Sequence, residues 1–413
     1  MLNPLTWLSR QRFPYEPLVR VEISRSKLLH NLKAYLRLNP ENKIAPVVKS
    51  NAYGHGLIEI ATILDKANRS DTEIKGRIPF LVIDSYFEAI ALTAKGIKLP
   101  LLIIGYTSPA IIMVSRTNNI SFTVSSLETL RAIANIKHNV KIQLKFDTGM
   151  HRQGLVPKEI QDALTIIQSN SKIKLDGLCS HLSDSSNLDP SYTRNQIEIW
   201  NNLVTLAKKE CPDIRYYHLS ATDGHWYAVT REASEEDHWY AGISSNVTRL
   251  GLGLYGLADF QSDNTSVLAE ERRVFIENLN LKPVLELKTS LTGIRSLEAD
   301  QSVGYDRTYV TVKDTTLATI PVGYYEGLDR RLSNTGSVMI GNQVCPIVGL
   351  VSMNITSIDV SAVSNPQISQ EVTVISSQLN DPNSVSNMSR LCKTATYEIV
   401  VHIPGHLKRV VVS

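Results

Sequence analysis

From Leu18 to about Phe260, short apolar runs alternate with amphipathic stretches, a rhythm that predicts strands and helices in turn. "LVRVEIS" is followed by "RSKLLHNLKAYLRL", and "KIAPVVK" by a helical segment from Leu57. "IPFLVID" leads into "SYFEAIALTAKG", "LPLLIIG" into "SPAIIMVSRTNN", and "ISFTVSS" into "LETLRAIANI". Then come "VKIQLKFD" with "PKEIQDALTIIQ", "LDGLCSHLS" with "YTRNQIEIWNNLVTLAKKE", and "IRYYHLS". Such runs, each followed by a helix, read as parallel strands covered on both faces. About eight repeats in roughly 240 residues predict an α/β TIM barrel, whose functional residues sit where strands end and loops begin. A doubly wound open sheet is the alternative, but no GxGxxG turn supports it.

After the polar stretch "QSDNTSVLAEERR" the rhythm changes to short alternating strands with Gly, Asn and Asp turns, as in "PVLELKTSLTGIRSL", "TTLATIPVGY" and "EVTVIS". The expected organisation is therefore an N-terminal extension over 1–17, with the β domain as its candidate support, and a barrel over 18–260. A linker over 261–280 and a second, mainly β C-terminal domain over 281–413 complete it.

Composition narrows the function classes. A chain of 413 residues with 43% apolar residues has enough for two folded domains. Its 43 basic and 40 acidic residues leave a net charge of +3 without a basic block, so neither nucleic acid nor an acidic binding arm is expected. No run is long enough to span a bilayer. The first residues, "MLNPLTWLSRQRFPYEP", break at Pro4, Arg10 and Pro14 and read as no signal peptide, so a cytoplasmic location is expected. Cys179, Cys211, Cys345 and Cys392 are far apart and form no CxxC pair, which points to free thiols and no metal site. The triplet "HWY" occurs twice, at His225–Tyr227 and His238–Tyr240, around an acidic stretch that reads as an exposed loop.

The candidate chemistry begins at "APVVKSNAYGHGL", where an apolar run ends in Lys49. A lysine at a barrel mouth can form a Schiff base with an aldehyde cofactor such as pyridoxal 5′-phosphate, provided the site lowers the amine's pKa. The phosphate then needs backbone N–H groups, small residues and a hydroxyl. Tyr53 follows Lys49 by four residues, and Gly251 and Gly253 in "TRLGLGLYG" offer further donors. Asp147, His181 and His218 also fall at strand ends.

The order of these motifs, from about Leu18 to the C-terminus, resembles the alanine racemase family, whose members are pyridoxal-phosphate enzymes built as a TIM barrel plus a β domain. "VVKSNAYGHG" resembles its lysine signature, with Lys49 carrying the cofactor and Tyr53 on the phosphate. In "LKFDTGMHRQG" the resemblance implies that Arg152 meets the cofactor's phenolic oxygen and the substrate carboxylate. Lys145 matches a lysine that is carbamylated in many members. "CSHLSD" places His181 against the cofactor ring, and "HLSAT" puts Thr222 at a phosphate-binding position. "NVTRLGLGLYG" supplies Arg249 for the pyridine nitrogen and the Gly251 and Leu252 backbone for the phosphate. In the β domain, "SVGYDRTY" carries Tyr305 as the second base, "VGLVSMN" puts a Met353 amide at the carboxylate, and "TATYEI" puts Tyr397 by the phosphate. An inner gate of the access corridor matches as Tyr324 and Tyr397.

The resemblance implies alanine racemisation by two bases, with Lys49 on one face of the α-carbon and Tyr305, tuned through His181 and Arg249, on the other. It implies D-alanine supply for a bacterial cell wall and a head-to-tail homodimer with shared sites. Several positions depart from the family pattern: Ala221 for asparagine, Ser352 for cysteine, Asn354 for aspartate, Leu350 for the corridor arginine and Ser186 for its aspartate. They keep a broad-spectrum or serine-accepting racemase, and an inactive cofactor-binding paralogue, as alternatives. A barrel-type decarboxylase would be expected to lack "KSNAYGHG" and to face the ring nitrogen with an acid rather than Arg249. Taken singly, His181 and His218 fit hydrogen-bonded core histidines, Arg249 a structural ion pair, Tyr305 a cross-strand aromatic and Tyr397 a core residue.

Overall fold

The computed structural model describes residues 16–38, 40–185, 189, 191–222, 242–257 and 267–413, with the side chains of 267–272 left aside. The chain divides into two units: Arg25–Pro283, and Val284–Ser413 together with the segment that ends at Ser24.

The strand "LVRVEIS", expected to open the barrel, lies in the other unit. There β1 (Arg20–Ser24) sits between strands Leu285–Ser290 and Lys408–Val412 in a six-stranded sheet. The signal was in its alternation. Val21 and Ile23 are buried, while Arg20 and Glu22 face the other side. On that side Lys288 Nζ stands 3.0 Å from Glu22, 3.2 Å from Glu286 and 3.4 Å from Glu371. Period-two alternation with cross-strand ion pairs marks a sheet with one polar face, not a barrel strand covered on both.

The barrel strands are β2 (Lys43–Pro46), β3 (Leu81–Ile83), β4 (Leu101–Ile103), β5 (Ile120–Val124), β6 (Val140–Lys145), β7 (Ile173–Cys179), β8 (Tyr216–His218) and β9 (Val247–Leu250). From β3 to β8 they form a six-stranded parallel sheet in sequence order, and β2 pairs parallel with β9. The Val47–Val82 bridge joins the pair to β3. Backbone bonds from Asn246 N to Tyr217 O, 3.0 Å, and from Arg249 N to Ser220 O, 3.1 Å, join β9 to β8. Six strands and two thus close an eight-stranded TIM barrel. The closing strand is "VTRL", so the barrel runs one repeat later in the sequence than the apolar runs suggested.

β3, β4 and β5 are buried at every position, as parallel strands under helices require. The helices begin where serines can cap them: Ser85 Oγ accepts from Glu88 N and Ser126 Oγ from Thr129 N. Helix Ser191–Glu210 buries Thr193, Gln196, Ile197, Trp200, Leu203, Val204 and Ala207, one stripe at 3.6-residue spacing. The stretch read as a linker contains a helix, Val267–Asn278.

The C-terminal unit is mainly β. Its six-stranded sheet is accompanied by a three-stranded sheet of Gly293–Leu297, Thr315–Ile320 and Thr356–Asp359. The four cysteines form no disulfide, and three are buried. Among the described residues no group of three His, Cys, Asp or Glu could hold a metal ion, and no helix is long and apolar enough to cross a membrane. Residues 1–15 of the extension and the two "HWY" triplets lie outside the described residues.

Trp200 is fully buried and donates its indole N–H to Ser244 O at 3.1 Å. Trp200→Ala is expected to cost about 3–5 kcal/mol of stability. Denaturant unfolding measures this, and a loss below about 1 kcal/mol would show that the helix does not depend on that anchor.

Candidate active site

Past β2 the backbone does something L-residues avoid. Ser50, Asn51, Ala52 and Tyr53 all have φ between 52° and 54°, a left-handed turn without a glycine. Such a conformation costs about 1–2 kcal/mol per residue, so its surroundings must hold it. Glu88 accepts from Ser50 N with one carboxylate oxygen, 2.8 Å, and from Asp84 N with the other, 2.7 Å. Asn51 Oδ1 accepts from Leu57 N, and His55 Nδ1 lies 3.0 and 2.9 Å from the carbonyls of Ala52 and Tyr53. The buried His55 ring packs 4.3 Å from Tyr255, whose hydroxyl donates to Val47 O at 2.7 Å. This frame fixes Lys49 at the strand end, with Nζ 3.8 Å from Asp84 Oδ1.

Four residues on, the buried Tyr53 hydroxyl faces Gly251. A Cβ at Gly251 would stand 3.1 Å from Tyr53 Oη and 3.6 Å from Thr222 Oγ1. Gly251 N donates to Thr222 Oγ1 at 3.0 Å, and Leu252 begins the short turn that follows. Burial pushes the Tyr53 phenol up to about 12, so it is a neutral hydrogen-bond donor at pH 7. Ser220 Oγ, in the same loop as Thr222, is buried without a hydrogen-bond partner. Two hydroxyls around a glycine that leaves room between them form a small cradle suited to phosphate oxygens.

Inside the barrel the polar groups are organised around Arg249. Its guanidinium donates to the carbonyls of His218, Ser180 and Leu219 at 2.7, 2.7 and 3.0 Å. It also contacts His218 Nδ1 at 2.5 Å and His181 Nδ1 at 3.0 Å. Arginine only donates, so both imidazoles must accept at Nδ1 and carry their proton at Nε2. His218 Nε2–H then donates to Gln143 Oε1 at 2.5 Å, which leaves the buried Gln143 amide nitrogen without a partner. Burial, and then Arg249, hold the His218 pKa well below its usual value. His181 is pushed down to about 3 by burial and by Arg249, Lys145, Arg152 and Lys49. Of those four cations Arg249 is the one in contact with the imidazole.

The Lys145 amine is also lowered, first by burial, with Arg249 and Arg152 acting in the same direction. Arg152 is exposed in the loop after β6, which Asp147 shapes by accepting from Gly149 N and His151 N. Gln143, His55 and Glu88 were not singled out from sequence. For Gln143 a signal existed: it lies two residues before Lys145 on one strand face, so "KIQLK" carried a polar inward row.

In the C-terminal unit Tyr305 is 70% exposed, in a turn where Gly304 and Asp306 have φ of 76° and 57°. Met353, Tyr324 and Tyr397 are exposed as well, and Leu350 is partly buried. Ser186 lies outside the described residues.

The sequence matches the family descriptions "Alanine racemase, N-terminal domain" over residues 23–259 and "Alanine racemase, C-terminal domain" over 284–411. It is 30% identical over 396 residues to an alanine racemase of Methanococcus maripaludis, covering 94% of this chain and 97% of that relative. An alanine racemase of Halothermothrix orenii is 30% identical over 393 residues, with 94% and 95% covered. Among solved structures, an alanine racemase of Clostridium difficile superposes with a TM-score of 0.82 at 25% identity, covering 96% of each chain.

Because its pKa lies at about 3, His181 should stay neutral through the physiological range. Its imidazole NMR signals are expected to hold still as the pH falls from about 8 to about 5. A midpoint of about 6.5 would show that neither burial nor Arg249 governs that ring.

Proposed function

The chain belongs to the alanine racemase family and is an amino-acid racemase, an isomerase; on that premise we propose that it interconverts L- and D-alanine with pyridoxal 5′-phosphate and two bases, Lys49 and Tyr305. The observation that carries this is the strained turn that leads from Lys49, at its strand end, to Tyr53 in the Tyr53–Thr222–Gly251 cradle. The site fits the cofactor. Tyr53, Thr222, Tyr397 and the Gly251 and Leu252 backbone would take its phosphate, His181 and Arg249 its ring, and Lys49 its aldehyde carbon.

When bound, the cofactor supplies the electron sink that makes the substrate's α-hydrogen acidic. Arg249, which keeps its own proton, would donate to the ring nitrogen and so weaken that sink, which would favour racemisation over transamination. Arg152 and the Met353 amide orient the substrate carboxylate. Lys145, whose lowered pKa raises its neutral fraction, can add carbon dioxide at Nζ; as a carbamate it would hold Arg152. Lys49 moves the α-proton on one face and Tyr305 on the other.

Tyr305 is 70% and Met353 55% exposed within the chain, which supports a head-to-tail homodimer in which a second copy contributes them. The D-alanine formed would serve a bacterial cell wall from the cytoplasm. A serine-accepting or broader racemase is the second reading. Leu350 favours it, since an apolar residue stands where the family's corridor carries an arginine.

Lys49→Ala and Tyr305→Phe should each abolish racemisation of L-alanine, each losing one of two bases. Co-assembled, the two variants are expected to regain up to about a quarter of wild-type activity per mixed dimer pool. No recovery in demonstrated mixed dimers would exclude a shared site.

Alanine is expected to have the highest kcat/KM, with serine slower by about 10–200-fold, because an apolar pocket rejects one added hydroxyl only weakly. Lysine and arginine should be poor, since the tyrosines at 324 and 397 narrow the way in. Steady-state kinetics on the four amino acids checks the order; lysine outrunning alanine would establish the broad-spectrum reading.

A further inference from the structure

The departure at Asn354 has a physical partner. Glu326 is buried, at 8% exposure, and closes the short turn Tyr324–Glu326. One of its carboxylate oxygens accepts from Gly323 N at 2.9 Å, and the other accepts from Asn354 Nδ2 at 2.7 Å. The backbones on either side are already in register. Tyr324 N donates to Ser352 O at 3.0 Å and Tyr325 N to Met353 O at 2.9 Å. Gly323 lets them approach, because a Cβ there would lie 2.1 Å from Ser352 O. Thr356 Oγ1 closes the far side by donating to Val322 O at 2.7 Å.

An ionised carboxylate can only accept, and one oxygen of Glu326 is committed to Gly323 N–H. Position 354 must therefore supply a donor. Asparagine does, from the exposed side of the buried Glu326, whereas aspartate would set two carboxylates against each other with no donor between them. The asparagine at 354 thus complements Glu326.

We propose that Glu326 and Asn354 form a positioning pair that sets the spacing between the Tyr324 gate and the Met353 amide, and through it the fit of the substrate's side chain and carboxylate. The proposal rests on the roles assigned above to Tyr324 and Met353. Neither Glu326 nor Asn354 touches the reacting atoms, so the pair governs substrate binding more than proton transfer.

The test is a polarity swap in the full-length holoenzyme. Asn354→Asp should raise KM for L-alanine by about tenfold while kcat falls less than about threefold, the mark of lost binding shared by ground and transition states. Glu326→Gln alone should be mild, because the Asn354 amide can turn its oxygen toward the new amide. In the double variant Glu326→Gln/Asn354→Asp, the glutamine amide donates to the aspartate and KM should return to within about threefold of wild type. The three proteins' melting temperatures should follow the same order. A double variant no better than Asn354→Asp in both KM and melting temperature would overturn the pairing. Melting temperatures that recover while KM never moved would overturn the positioning role. A wild-type protein without alanine racemisation would refute the proposed function itself, and the melting series would still decide the pairing.

Discussion

A guanidinium buried in the middle of a barrel, with no carboxylate among the described residues to neutralise it, dictates the polarity of everything around it. Arg249 meets only acceptors: three carbonyls and two imidazole Nδ1 atoms. Burying a charge is tolerable when hydrogen bonds replace its water. Since arginine never accepts, both histidines are fixed in one tautomer, and Gln143 must turn its oxygen to His218 even at the cost of an unpaired amide nitrogen. Burial first, and the same charge after it, keep His181 neutral and lower the Lys145 amine.

The second organising feature is strain. Four successive left-handed residues after Lys49 would cost several kcal/mol, about 1–2 each, in an unconstrained chain. Glu88, Asn51, His55 and Tyr255 hold that conformation through hydrogen bonds and ring packing. Strain of this kind persists where it places a reactive group, here an amine at a strand end, four residues before a tyrosine whose hydroxyl faces Gly251. The C-terminal unit is arranged in the opposite sense. It leaves Tyr305, Tyr324 and Met353 exposed, a set of large side chains more suited to contact than to water.

Much of this was legible in the sequence. Continuous apolar runs followed by amphipathic stretches specify parallel strands under helices, because both faces of each strand must be buried. Lys49, Tyr53, Arg249 and Gly251 sit in short local motifs whose order along the chain survives without knowledge of the fold. Even the misplaced strand β1 carried its own correction, since Arg20 and Glu22 alternate with Val21 and Ile23. Its apolar content alone does not separate it from a barrel strand, whereas its alternation does.

What only the tertiary structure decided are the pairings between distant segments. Gln143 lies 75 residues from His218, and Glu326 lies 28 from Asn354. In the sequence each is an unremarkable polar residue, and Asn354 reads as a missing charge. A donor's partner depends on which acceptor the fold brings within 3 Å, and burial of Gln143, His218 and Glu326 makes a match compulsory for each of them. Local patterns determine which elements form and where chemistry can reside, because propensity and periodicity act over a few residues. Proton positions, pKa shifts and the reason for asparagine at 354 depend on long-range contacts, which exist only once the chain has folded.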